Sequence, residues 1–110
     1  PYTEQMESER EQGWVNAYNL GAEALNAGDM EAARRHFEGA DALYQNRPEA
    51  RLALGSLYMR QGDTQKAADA YRGALEILSG PPPEGLAEEQ VDGWKRDRQV
   101  AAFNAAQLTA

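Results

Sequence analysis

Residues 20–40 read LGAEALNAGDMEAARRHFEGA and residues 54–74 read LGSLYMRQGDTQKAADAYRGA. At an offset of 34 positions, Leu20-Gly21 falls on Leu54-Gly55, Gly28-Asp29 on Gly62-Asp63 and Ala33 on Ala67. The same shift carries Phe37 onto Tyr71 and Gly39-Ala40 onto Gly73-Ala74. A chain that is merely rich in alanine does not repeat its glycines and aromatics in register, so two copies of one structural unit are present.

Each copy reads as helix, two-residue break, helix. The expected helices are Trp14 to Ala27 and Met30 to Tyr44 in the first copy, Glu49 to Gln61 and Thr64 to Leu78 in the second. Glycine adopts the left-handed conformation past a helix end without steric cost, and the aspartate beside it accepts backbone N–H bonds from the next helix, so Gly-Asp makes a tight corner. Gly21 and Gly55 let the paired helices approach, while Ala33 and Ala67 leave room beside the rings of Phe37 and Tyr71. Gly39 and Gly73, inside second helices, are read as points of close approach by the following helix, the alternative being glycine tolerated at an exposed site. Pro48 is placed to open the third helix, where its missing N–H is not needed, and Asn46 to end the helix before it.

Beyond the copies, Ser79-Gly80-Pro81-Pro82-Pro83 stops the fourth helix, because consecutive prolines remove donors and force extended backbone. It reads as a stiff connector rather than a polyproline ligand. From Leu86 on, Ala87, Val91, Trp94, Ala101, Ala105 and Leu108 share one helical side, with a kink or break expected at Gly93. Residues 102–106 echo residues 17–21 at an offset of 85, so a third unit begins and its second helix is absent. Residues 2–12 are polar apart from Tyr2 and Met6 and either prolong the first helix or fray. Pro1 in place of methionine, and Ala110 inside an expected helix, read as a piece of a longer protein.

These residues resemble the tetratricopeptide repeat. Ala17, Leu20, Gly21, Ala24, Ala33, Phe37 and Ala40, then Arg51, Leu54, Gly55, Tyr58, Ala67, Tyr71 and Ala74, stand at its signature positions. Departures are Ala17 and Arg51 for the first large aromatic, Ala24 for the second, and Gln45 and Ser79 for the closing proline. The resemblance implies an all-α fold, a right-handed superhelix of two full helical hairpins plus the first helix of a third. As one domain over 1–110, it divides into a polar extension (1–13), repeat one (14–47), repeat two (48–79), a proline-rich loop (80–85) and a long helix (86–110).

The same resemblance implies a concave face lined by first helices, a usual seat for peptides. The expected binding residues on it are Tyr18 and Asn19, then Leu52, Ser56 and Met59, then Phe103 and Asn104. Tyr18, Leu52, Met59 and Phe103 suit an apolar peptide or an amphipathic helix, and the two asparagines suit its backbone groups. Chaperone-binding relatives grip a C-terminal carboxylate with Lys, Arg and Asn. The corresponding positions here are Tyr18, Ala22, Ala53, Val100 and Asn104, of which only Asn104 fits, so that partner is not expected.

Composition excludes much else. With 18 acidic against 11 basic residues and a net charge of -7, the chain is ill suited to a phosphate backbone, so no nucleic-acid partner is expected. It has no cysteine, and its single histidine, His36, has no second to complete a metal site or proton relay. The carboxylates read as solvated faces rather than a catalytic pair. The segment from Gly80 to Gly85 lacks the Lys-Ser/Thr ending of a nucleotide loop. No enzyme activity, cofactor or metal is expected. Lys95-Arg96-Asp97-Arg98 reads as a solvated basic face. No apolar run approaches the roughly 18 residues that span a bilayer, so a soluble chain without membrane insertion is expected. Abundant arginine and alanine point to a bacterial source, in cytoplasm or periplasm. The leading function is a scaffold or adaptor for a protein or peptide. The alternatives are homo-oligomerisation through an exposed solenoid end, or a docking domain of a larger enzyme, sensor or secretion component.

Overall fold

Gly28 and Gly62 both sit at positive φ, 82° and 79°, and the backbone around them closes in the same way. At the first corner the Gly28 N–H donates to Leu25 O (3.0 Å) and the Asp29 N–H to Ala24 O (2.9 Å). At the second, Gly62 donates to Met59 O (3.1 Å) and Asp63 to Tyr58 O (2.9 Å). These paired bonds satisfy carbonyls that a helix end leaves orphaned. The aspartate then turns to the next helix: Asp29 Oδ1 accepts from the Ala32 N–H and Asp63 Oδ1 from the Lys66 N–H, each at 3.1 Å.

The computed structural model describes residues 2–43, 47–82 and 85–109. Five helices follow in order: α1 (Tyr2–Asn26), α2 (Met30–Leu43), α3 (Glu49–Arg60), α4 (Thr64–Leu78) and α5 (Glu88–Thr109). There is no strand among the described residues. The main contacts run α1–α2, α2–α3, α3–α4 and α4–α5, so each helix rests on its neighbours in sequence. This is the all-α stack of two hairpins and a fifth helix that the spacing implies.

Of the two readings left open for residues 2–12, the structure takes the helical one, and α1 runs 25 residues without a break. Other details depart from the sequence expectation. Pro48 stands at the N-cap of α3, one position ahead of the first helical residue, and is fully buried. α5 starts at Glu88 rather than Leu86 and passes through Gly93 without interruption. Its start is capped by Gln90, whose Oε1 accepts from the Ala87 N–H at 2.9 Å. The expected helix end at Tyr44, the breaker Asn46, and Gln45 in place of the closing proline lie outside the described residues.

The core is apolar throughout, with no buried charged or polar side chain among the described residues. Ala33, Phe37, Leu54, Leu57, Tyr58 and Ala67 form its centre. Trp14, Ala40 and Ala50 close one side, and Ala74, Leu78 and Ala101 join α5 to α4. The Trp94 Nε1–H donates to the Leu78 carbonyl (3.2 Å), hooking α5 onto the end of α4.

A methyl group added at Gly21 would meet the Phe37 ring at 2.7 Å, and one at Gly55 would meet the Tyr71 ring at 2.7 Å. Gly73 is crowded by the Arg51 side chain at 3.1 Å, an approach from within its own hairpin rather than from the next helix, and Gly39 has open space around it. Glycine costs about 1 kcal/mol against alanine in a helix, and overpacking costs about 1–3 kcal/mol. Gly39→Ala is therefore expected to raise unfolding free energy by up to about 1 kcal/mol in urea titration. Gly55→Leu should lower it by at least about 1–3 kcal/mol, with exposed Gln65→Leu near neutral. Losses of similar size at all three positions would contradict the packing described.

Candidate functional site

Tyr18 lies at the meeting point of α1, α2 and the start of α3. Its ring stacks on Trp14 (centroids 4.9 Å apart, 7° between planes) and tilts against Phe37 at 5.4 Å. The Arg47 guanidinium sits 4.5 Å from the Trp14 ring centroid and pairs with Glu11 (3.6 Å) and Glu49 (3.4 Å). Burial raises the Tyr18 phenol above its ordinary pKa, the Glu49 and Asp97 carboxylates add to the rise, and Arg47 opposes it. The hydroxyl therefore stays protonated at neutral pH and can donate a hydrogen bond. Tyr18 is half-buried, holding the helices together with its ring and leaving an edge uncovered.

The other expected binding residues divide by exposure. Leu52 is half-buried against the Ala74–Leu78–Ala101 group, and Asn104 is half-buried. Asn19 and Ser56 are exposed. Met59 and Phe103 are large apolar side chains left 46% and 63% exposed. α3 thus turns Met59 to solvent and α5 turns Phe103 and Val100, while Tyr18 and Leu52 are shared between packing and surface.

A second surface feature went unread in the sequence. A cleft of about 450 Å³ opens between α2 and α4 over α3, with Leu54 and Ala70 in its floor and Glu38, Asp41, Arg51 and Lys66 around it. Arg51, standing where the repeat pattern has an aromatic, donates from Nε to Asp41 Oδ1 (2.7 Å) and from Nη1 to the Gly73 carbonyl (3.0 Å). The Tyr58 hydroxyl donates to Glu38 Oε2 (2.7 Å), whose other oxygen accepts from Arg34 Nη1 (2.7 Å). Arg34 also pairs with Glu31. These bonds run from α2 to α3 and from α3 to α4, tying the first repeat to the second. The signal for them in the sequence was Arg51 itself, an unexpected long donor opposite a glycine.

The tetratricopeptide repeat family model matches residues 24–85, more than half of the chain. The chain belongs to the tetratricopeptide repeat family. The match spans both Gly-Asp corners, the contact of Gly55 with the Tyr71 ring in the second hairpin, and the Arg51 crossing. A DnaJ homolog subfamily B member 14 from Xenopus laevis is 30% identical over 105 residues, covering 89% of this chain and 28% of that protein. The repeat domain thus spans less than a third of that relative's length. Among the described residues no helix is long and apolar enough to cross a membrane, and no cluster of His, Asp and Glu side chains could hold a metal ion.

Burial also raises the phenols of Tyr58 and Tyr71, Tyr58 furthest, because the Glu38 carboxylate that its hydroxyl donates to adds to the effect. The sign follows from the folded state holding the proton more tightly than the unfolded chain. Below the ordinary tyrosine value of 10.0 both states are protonated and the contribution is complete. Above it the unfolded chain ionises first, and stability falls as pH rises. Thermal melts are expected to be flat through neutral pH and to drop above pH 10. Tyr58→Phe should lower the melting temperature at neutral pH and make the alkaline drop shallower. An unchanged alkaline slope in that variant would refute the assignment.

Proposed function

We propose that this tetratricopeptide repeat domain is a passive protein-binding module that holds an apolar peptide, or the apolar face of an amphipathic helix, along the side presented by α1, α3 and α5. The observation that carries this reading is the exposure of Met59 and Phe103 in a domain whose core is otherwise closed. Large apolar side chains held in water gain by being covered, at about 25 cal/mol for each Å² of apolar surface removed. Tyr18 and Leu52 supply firm apolar ground between them, because their own packing fixes their rotamers before a ligand arrives. Asn19, Ser56 and Asn104 supply donors and acceptors for an extended or helical backbone. A preorganised surface of this kind loses little side-chain entropy on binding.

Family membership supports a protein partner, and the similarity to one stretch of a longer DnaJ homolog fits a module that serves a larger protein. Nothing in the arrangement calls for chemistry: the site offers shape, apolar area and a few hydrogen bonds.

The test is a titration of labelled amphipathic peptides against the domain by fluorescence anisotropy. Both anchors are largely exposed, so a Met59→Ala, Phe103→Ala variant keeps its melting temperature. It is expected to bind at least about tenfold more weakly, each lost anchor being worth roughly 1 kcal/mol or more. Equal affinity in the folded variant would rule the site out.

A further inference from the structure

Arg51 and Tyr58 stand seven positions apart on α3, about two turns along one side of the helix. Both reach back to α2: Arg51 Nε donates to Asp41 Oδ1 (2.7 Å) and the Tyr58 hydroxyl to Glu38 Oε2 (2.7 Å). The later acid takes the earlier donor, the order that antiparallel packing of α2 and α3 requires. Arg51 reaches forward as well, from Nη1 to the Gly73 carbonyl of α4 (3.0 Å), where the glycine leaves room for the guanidinium. Glu38 is itself steadied by Arg34 Nη1 (2.7 Å). The Arg51 and Asp41 side chains are 20% and 26% exposed, so their pair is sheltered from much of the solvent that weakens an ion pair on an open surface.

A single bond across a seam lets one helix rock about it. Two bonds separated along α3 fix both its rotation about its own axis and the angle at which it crosses α2. The residue after each of these donors belongs to the proposed binding face: Leu52 follows Arg51, and Met59 follows Tyr58. Successive side chains on a helix point about 100° apart. Holding positions 51 and 58 against α2 therefore sets the direction in which positions 52 and 59 project. The bond from Arg51 to Gly73 carries the same constraint to α4, so one side chain joins the second helix of the first repeat to the second helix of the next.

We propose that Arg51 is a positioning residue for peptide binding: by joining Asp41 on α2 to Gly73 on α4, with Tyr58 as its companion, it sets the angle between the two repeats. That angle fixes the spacing at which Tyr18 of the first repeat stands from Leu52 and Met59 of the second. Arg51 touches no peptide itself. This role rests on the binding face proposed above and adds to it, because it makes affinity depend on residues that lie on the cleft side of α3. A face held at one spacing loses less freedom when a ligand settles on it.

The experiment reads angle and affinity separately. The chain has no cysteine, so Arg35→Cys on α2 and Glu76→Cys on α4, both exposed, take spin labels at those two points alone. Double electron–electron resonance then gives the distribution of distances between the repeats, with Arg51 intact and with Arg51→Met, which keeps an unbranched stem and loses both bonds. Labelled amphipathic peptides are titrated by fluorescence anisotropy against the unlabelled chains, with circular dichroism to verify helix content. Arg51→Met is expected to broaden or shift the distribution and to bind about three- to tenfold more weakly. Asp41→Ala should weaken binding too, and adding it to Arg51→Met should change little, because both remove the same bond. Where Arg51→Met loses helix content, Arg51→Lys takes its place, since it keeps the charge and lacks the fork that donates in two directions. An unchanged distribution in the folded variant overturns the proposal. Unchanged affinity beside a broadened distribution overturns the link to binding. A wild-type chain that binds no such peptide overturns the binding face and with it the role in affinity, while the distances decide on their own whether Arg51 sets the angle.

Discussion

Everything in this molecule depends on how closely two helices can approach when one of them lacks a side chain under an aromatic ring. At Gly21 and Gly55 the ring of the partner helix occupies the space a β-carbon would need, at the same 2.7 Å distance in both hairpins. That contact sets the separation of α1 from α2 and of α3 from α4. The separation in turn decides which residues reach across, and so why alanine stands at positions 33, 40, 67 and 74, all fully buried. The Gly-Asp corners follow from it, since a hairpin this tight needs a left-handed residue to turn and a cap to begin again.

The two hairpins share a backbone plan and differ in how they bond to what lies beside them. In the second, Arg51 spans from Asp41 of the preceding helix to the Gly73 carbonyl, and Tyr58 reaches Glu38. In the first, alanine stands at both places. Polar bonding is therefore concentrated at the seam between repeats. There the groups are half-covered, and each donor has a carboxylate or carbonyl within reach, so desolvation is offset. The aromatic stack of Trp14 and Tyr18 under Arg47 closes the same seam on its other side.

Most of the fold was legible because the repeat records contacts made within each hairpin. Glycine, alanine and aromatic positions recur every 34 residues when the same ring meets the same notch. Contacts between hairpins leave no such periodic trace. Gly39 and Gly73 look alike in the sequence, yet only Gly73 has Arg51 against it, because position 17 is too short to do the same. The helical state of residues 2–13 was open for a related reason: a polar stretch shows no apolar face, and its helix is carried forward from the packed turns of α1 that follow it. The expected binding residues differ in how free their side chains are. Exposure of Met59 and Phe103 could be read from position alone, whereas the double engagement of Tyr18 by Trp14 and Phe37 requires knowing where α2 crosses.

Because each helix rests chiefly on the ones next to it in the chain, the native contacts join residues close together in sequence. Chains of that kind search little conformational space before structure forms, and either hairpin can serve as the nucleus from which the rest grows. The same arrangement governs the response to tension applied at the two termini. With the main contacts among the described residues running between helices adjacent in the chain, the stack is expected to extend by shedding helices in turn from its ends, as a compliant spring rather than a brittle clasp.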